Sequence, residues 1–210
     1  MARFLHPMRT TLLAALLVIA AAGCETAARS DAAFDQGASR APTVRTLHAL
    51  AGVLAAKGQD AEAQLVLMRL IETNPTFLPA YSDLAELHLR HERLPEARAA
   101  LMAGLEISPQ DSALTNNLGM WHLLQRDYAA AASQFEKAAS NSPHNRRYRA
   151  NQALALGLHG EHERSAEIYR AILPSREAQH NLAIIAQARQ QMGQEFIHAR
   201  ERASNGTAEY

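Results

Sequence analysis

Residues 112–145 read SALTNNLGMWHLLQRDYAAAASQFEKAASNSPHN. Asn117-Leu118-Gly119 sits in one apolar run, a short polar break follows at Gln125-Arg126-Asp127, and Tyr128, Ala131, Phe135 and Ala138 lead to Pro143. Ala131, Phe135 and Ala138 are four and three residues apart, the spacing of one helical face. The stretch therefore predicts two helices folded back on each other and closed by a proline. Gly119 and Ala131 are small, as a close approach of two helices requires. A larger side chain there overpacks the contact, at about 1–3 kcal/mol.

The same places recur upstream at a constant step. Pro143 is preceded by Pro109 and Pro75, Leu118-Gly119 by Leu84-Ala85 and Leu50-Ala51, Ala131 by Ala97 and Ala63, and Phe135 by Leu101 and Leu67. Each step is 34 residues. That period and residue set resemble the tetratricopeptide (TPR) repeat, in which each unit is one helix pair. Three units follow in register, 44–77, 78–111 and 112–145. A worn fourth keeps Asn151, Ala153, Gly160, Tyr169 and Ile172 but has Gln152 and Ser165 where Leu and Ala are usual, and Pro174 cuts its second helix short. The expected fold is all-α, a right-handed solenoid of about four helix pairs plus a C-terminal capping helix.

Composition narrows the function. Lys and Arg total 21 and Asp and Glu total 21, so no global basic field exists to recruit nucleic acid. Aromatic residues make up 5% of the chain, too few for a surface on which single-stranded bases stack. No period-two run of Val, Ile and Thr argues for a sheet.

The first residues read as a targeting segment. Arg3 and Arg9 precede an uncharged, mostly apolar run from Thr10 to Ala22. A membrane-spanning helix takes about 20 residues, so this run fits the apolar region of a secretory signal instead. It ends at Ala20-Ala21-Ala22-Gly23-Cys24, and Cys24 is the single cysteine. The end of the run resembles the cleavage and lipidation box of bacterial lipoproteins, which makes 1–23 the signal and Cys24 the acylated N-terminus. The other reading is an ordinary signal peptide with Cys24 an incidental thiol. A lone thiol in an oxidising compartment is a liability, which favours the lipid. Two or more acyl chains anchor stably where one is marginal. Glu25 follows, in place of the Asp that marks inner-membrane retention in enterobacterial lipoproteins, so the resemblance implies a periplasm-facing protein on the outer membrane.

Residues 24–43, rich in Ala, Ser, Asp and Gly, are expected to form a flexible linker. Thr43 is placed to cap the first helix, which runs to about Lys57 and ends at Gly58. Further helices are expected over 60–73, 79–91, 94–107, 112–125, 128–141, 146–159 and 162–173. A closing helix follows from Arg176 to about Arg200, broken at Gly193, within an array spanning 44–203. Residues 204–210 are expected to be a disordered tail.

Ten histidines invite a metal reading. His88 with His91, and His159 with His162, have a chelating spacing, but the sequence places no carboxylate or cysteine partner for either pair, and both lie near helix ends where polar residues gather. His88 and His122 occupy equivalent places and are expected to pack against a neighbouring helix. No phosphate loop, zinc-protease motif or nucleophile elbow is present. The reading is a non-enzymatic chain with no metal and no cofactor beyond the lipid on Cys24.

The better candidate is the concave surface lined by the first helix of each pair. The residue before each Leu-Gly pair is Ala49, Asp83, Asn117 and Asn151, with Asn181 in the closing helix. Two readings stand: the asparagines form a ladder facing a bound segment, or they bond helix to helix. Asn116, Met120, Leu123, Glu86, Arg90, Arg147 and Leu154 complete the candidate groove. An apolar stretch between polar ends suits an amphipathic helix or extended peptide.

The C-terminal third adds a more specific likeness. NRRYRANQALAL (145–156), Gly160, Glu163, Ala166, Leu173-Pro174-Ser175-Arg176-Glu177-Ala178 and Asn181-Leu182-Ala183, behind a lipobox and TPR units, resemble the TadD family. These are TPR lipoproteins of tight-adherence (Tad/Flp) pilus assembly. The resemblance implies a non-enzymatic scaffold that helps assemble or position the secretin and other parts of the export machine. The alternative is another periplasmic TPR lipoprotein, such as a type IV pilus secretin pilotin or an adaptor recruiting cell-wall hydrolases.

Overall fold

Four helix pairs stack in sequence, and a long ninth helix closes the stack. The computed structural model describes residues 41–206. Among them the helices are α1 (Val44–Ala56), α2 (Asp60–Thr73), α3 (Leu78–Arg90), α4 (Leu94–Ile107), α5 (Ser112–Leu124), α6 (Tyr128–Asn141), α7 (Arg146–His159), α8 (His162–Ile172) and α9 (Ser175–Gly206). No described residue lies in a strand. No described helix is long and apolar enough to cross a membrane. The signal and lipidation expectations, and most of the linker, lie outside the described residues.

Local chemistry sets the helix ends. Thr43 Oγ1 accepts from the Thr46 N–H, and Asp111 and Asp127 cap α5 and α6 in the same way. The turn within each pair needs one left-handed residue, which falls at Gly58, Glu92, Arg126 and Gly160 in the four units. Each pair then buries its small-large-small face. Ala63, Ala97, Leu101, Ala131, Phe135 and Ala138 are all 0% exposed.

Close approach at Gly119 takes a form the sequence did not suggest. It is the ring of Phe135, rather than a helix backbone, that occupies the space of the missing side chain. A Cβ on Gly119 would stand 2.6 Å from Phe135 Cε1. Gly104 gives way to Leu114 of the next unit in the same manner, with a Cβ 2.7 Å from Leu114 Cδ1.

Polar bonds sew one unit to the next. Trp121 Nε1 on α5 donates to the Leu94 carbonyl at the start of α4, at 2.8 Å. Tyr81 Oη donates to the Pro75 carbonyl at 2.8 Å. His91 and Arg90, at the end of α3, reach back to Asp60 on α2 at 2.6 and 3.4 Å.

The two ends of the stack differ. α1 leaves Leu50 and Val53 45% and 51% exposed, whereas the equivalent Leu84 and Leu87 are 9% and 1% exposed beneath unit 1. At the other end α9 lays Ala178 and Ile185 against α7 and α8. Met192 then reaches Tyr128, whose Oη lies 3.0 Å from Sδ, and Glu195 approaches Arg126 at 3.6 Å. The break expected at Gly193 is absent. Nothing lies within 4 Å of its Cβ position, so no neighbour forces a kink and the helix runs through. It continues past 204 to Gly206, so the boundary expected there falls inside the helix, and 207–210 lie outside the described residues.

Candidate functional site: the inner groove

The first helices of the pairs, α1, α3, α5 and α7, place equivalent residues in rows across the array. One row is Ala49, Asp83, Asn117 and Asn151; the next is Gly52, Glu86, Met120 and Leu154; a third is Ala56, Arg90, Leu124 and Leu158. Between α3, α5 and α7 an open cavity of about 330 Å³ is lined in part by members of these rows. Seven residues singled out in the sequence line it: Glu86, Arg90, Asn116, Asn117, Met120, Arg147 and Asn151. Leu89 and Leu124 complete its apolar floor.

Four other candidates fall elsewhere. Asp83 lines a neighbouring cavity and accepts from the His48 ring at 2.7 Å. Leu123 packs against the cluster of Ala131, Ala132 and Phe135. Leu154 packs against that of Ala153, Tyr169 and Ile172. Asn181 sits half-buried on α9, away from the cavity.

The asparagines bond helix to helix. Asn151 Nδ2 donates to Asn116 Oδ1 at 2.8 Å, Asn116 Nδ2 to Asn117 Oδ1 at 3.2 Å, and Asn117 Nδ2 to the Ser82 carbonyl and Oγ at 3.2 and 3.1 Å. This chain of amides ties α7, α5 and α3 together. Asn116 and Asn117 are 1% and 5% exposed, so burial makes those bonds obligatory. All donors point toward α3, which leaves the Asn151 carbonyl oxygen as the acceptor at the open end. Adjacent Asn116, Asn117 and the distant Ser82 form one network, which no repeat pattern signals.

Charge lies at the rim. Arg147 and Glu86 are exposed and make no ion pair among the described residues, while Arg90 holds Asp60. The groove thus offers an apolar floor, one open amide oxygen, and separate cationic and anionic edges. It holds no nucleophile beside a base.

The histidines do not converge. His91 is held by Asp60, His162 accepts from Arg189 on α9, and His122 lies 3.5 Å from Asp127. Among the described residues no group of three or more His, Cys, Asp or Glu is arranged to hold a metal. His88 is buried under the array and its Nδ1 has no partner. Burial, and then the Arg93 charge, hold its pKa below the usual histidine value.

No protein-family model matches the chain, and no curated protein matches it. Solved structures do. TTC0263, a thermophilic TPR protein in Thermus thermophilus, superposes with a TM-score of 0.61 at 18% identity, over 69% of this chain and 82% of that one. YrrB, a TPR protein described as having an unusual peptide-binding site, gives 0.54 at 14% identity, over 71% and 79%. An O-GlcNAc transferase mutant from Thermobaculum terrenum gives 0.56 at 17% identity over 64% of this chain, which spans 27% of the transferase. At these identities the likeness is one of fold: the chain is an all-α TPR solenoid.

Proposed function

We propose that the chain is a non-enzymatic scaffold that captures a segment of a partner protein in its inner groove. The observation that carries this is the convergence of α3, α5 and α7 on one open cavity with an apolar floor and charged edges. Such a surface orients an extended or helical segment by its side chains. The likeness to YrrB, a TPR protein with a peptide-binding site, supports the same use of the fold.

The finer reading joins this surface to the cell envelope. The signal-like start and Cys24 favour a lipid anchor facing the periplasm, on the outer membrane. The C-terminal resemblance to the TadD family favours tight-adherence pilus assembly, with a secretin or another export component as partner. The scaffold would hold that component near the membrane while the machine assembles.

The test is a pull-down from crosslinked cells with the lipidated chain as bait and Met120→Glu as control. Met120 is half-buried on the groove floor and packs against the cluster of Ala131 and Phe135, so the variant is used only after its helicity and urea midpoint are shown to match the parent. Recovery of a secretin or pilus platform component, lost in the variant, supports both readings. Recovery of cell-wall enzymes instead moves the partner and keeps the groove. Equal recovery by both proteins removes the groove from the function.

A further inference from the structure

The groove continues past its first cavity. Where units 2 and 3 carry Glu86 and Met120, unit 1 carries Gly52. A second open cavity of about 280 Å³ lies there between α1 and α3. Glu86 and Arg90 line both cavities and so form the wall between them. Ala51, Ala55, Leu67 and Leu87 make the second cavity apolar inside.

Its charged lining is two carboxylates, Asp83 and Glu86, and one guanidinium, Arg90. Arg90 is drawn to Asp60 at 3.4 Å, and Glu86 makes no ion pair among the described residues. The Asp83 carboxylate accepts from His48 and keeps 42% of its side chain exposed. An open recess with an apolar wall and two carboxylates beside it matches a lysine, whose methylene stem packs while its ammonium stays at the polar rim.

Gly52 bears on this independently. A glycine inside a helix weakens it. Nothing lies within 4 Å of a Cβ built there, so no packing contact requires glycine. Gly52 lines the cavity, so a longer side chain at this place would extend into open space beside it.

Resting on the groove-binding reading above, we propose that this cavity is a lysine subsite, and that the groove takes an extended segment with a lysine and a bulky apolar residue about three places apart. The apolar residue occupies the floor of Leu89, Met120 and Leu124. The spacing follows from geometry. Neighbouring helices pack about 8–10 Å apart, and an extended chain advances about 3.3 Å per residue.

The experiment is fluorescence anisotropy on the full chain with labelled Ser/Thr-rich peptides. Two contain Lys-Thr-Ser-Leu or the reversed Leu-Ser-Thr-Lys, and two have Glu in place of Lys. One of the Lys peptides is expected to bind about ten-fold tighter than its Glu counterpart. Glu86→Lys should reverse that preference, and Gly52→Leu should abolish it without lowering the urea midpoint. If Lys and Glu peptides bind equally and Met120→Glu abolishes both, the groove reading stands and the lysine subsite falls. If neither Lys peptide binds, the inference is overturned, while the crosslinking capture still decides the groove.

Discussion

The ring of Phe135 on α6 rests directly on the backbone of Gly119 on α5, so near that a Cβ on Gly119 would stand 2.6 Å from Cε1 and 2.7 Å from Cδ1. Phe135 is 0% exposed and has no room to retreat. Gly119→Ala is therefore expected to destabilise the array despite the roughly 1 kcal/mol that alanine contributes to a helix. Overpacking costs about 1–3 kcal/mol, which leaves a net loss of about 1 kcal/mol. Gly119→Leu should lose several-fold more. Gly52→Ala is the control, since its Cβ meets nothing within 4 Å and the helix gain of about 1 kcal/mol stands alone. Urea unfolding of the three variants decides the matter. An unchanged midpoint for Gly119→Leu would refute the packing role.

The turn inside each pair predicts a gain. The left-handed places at Gly58, Glu92, Arg126 and Gly160 are equivalent, yet two are not glycine and take φ of 54° and 61°. A side chain in that region costs roughly 1–2 kcal/mol. Glu92→Gly should raise stability by about 0.5–1 kcal/mol, the relief of strain less the entropy glycine loses. Arg126→Gly should gain slightly less, because it also removes the exposed 3.6 Å pair with Glu195. A lower melting midpoint in both would mean the side chains hold the turns.

That row of turns also shows what was legible. The period of 34 residues placed the first three units, because the small-large-small face and the closing proline repeat with it, and the fourth was marked by Asn151, Ala153, Gly160, Tyr169 and Ile172 alone. Gly58 and Gly160 marked a left-handed residue, whereas Glu92 and Arg126 take the same backbone with no glycine to mark it, in turns closed by the Arg93 N–H to the His88 carbonyl and the Asp127 N–H to the His122 carbonyl. Most of the groove was legible for the same reason, because equivalent places on the first helices share one face. The exceptions have physical causes. Leu123 and Leu154 are half-buried against neighbouring core clusters and do not line the cavity, whereas Met120 both packs against one and lines the cavity. Ser82, which anchors the amide chain, occupies a place that no repeat pattern constrains.

The amide chain makes its own prediction. Asn116 is 1% exposed and bonds to Asn151 on one side and Asn117 on the other. Asn116→Ala leaves a donor and an acceptor without partners, at about 1–3 kcal/mol. Asn151→Ala, at the half-buried open end, should lose about 1 kcal/mol or less. Hydrogen exchange should show faster opening between α5 and α7 in the first variant. If both variants match the parent in stability but lose partner capture, the asparagines act on the ligand rather than on the stack.

Membrane attachment is testable apart from the fold. Cys24→Ser should release the chain from membranes in cell fractionation, because it removes the acceptor of the proposed lipid. Continued co-sedimentation with the outer membrane would place the anchor elsewhere.

Acid should weaken the array through His88. Its folded pKa is lowered from the ordinary histidine value of 6.5, first by burial and then by Arg93, with His91 adding to the effect and Glu96 opposing it. The unfolded chain therefore binds a proton at this residue that the folded one refuses. Stability then rises with pH, and the loss begins as pH falls through about 6.5 and ends once folded His88 itself titrates. The informative quantity is the difference between parent and His88→Phe, in which every other side chain is common to both. Phe suits a 6% exposed place and removes the unpartnered Nδ1. The melting midpoint of His88→Phe should fall less than that of the parent between neutral and mildly acidic pH. Parallel curves would show that His88 is not the residue that takes up the proton.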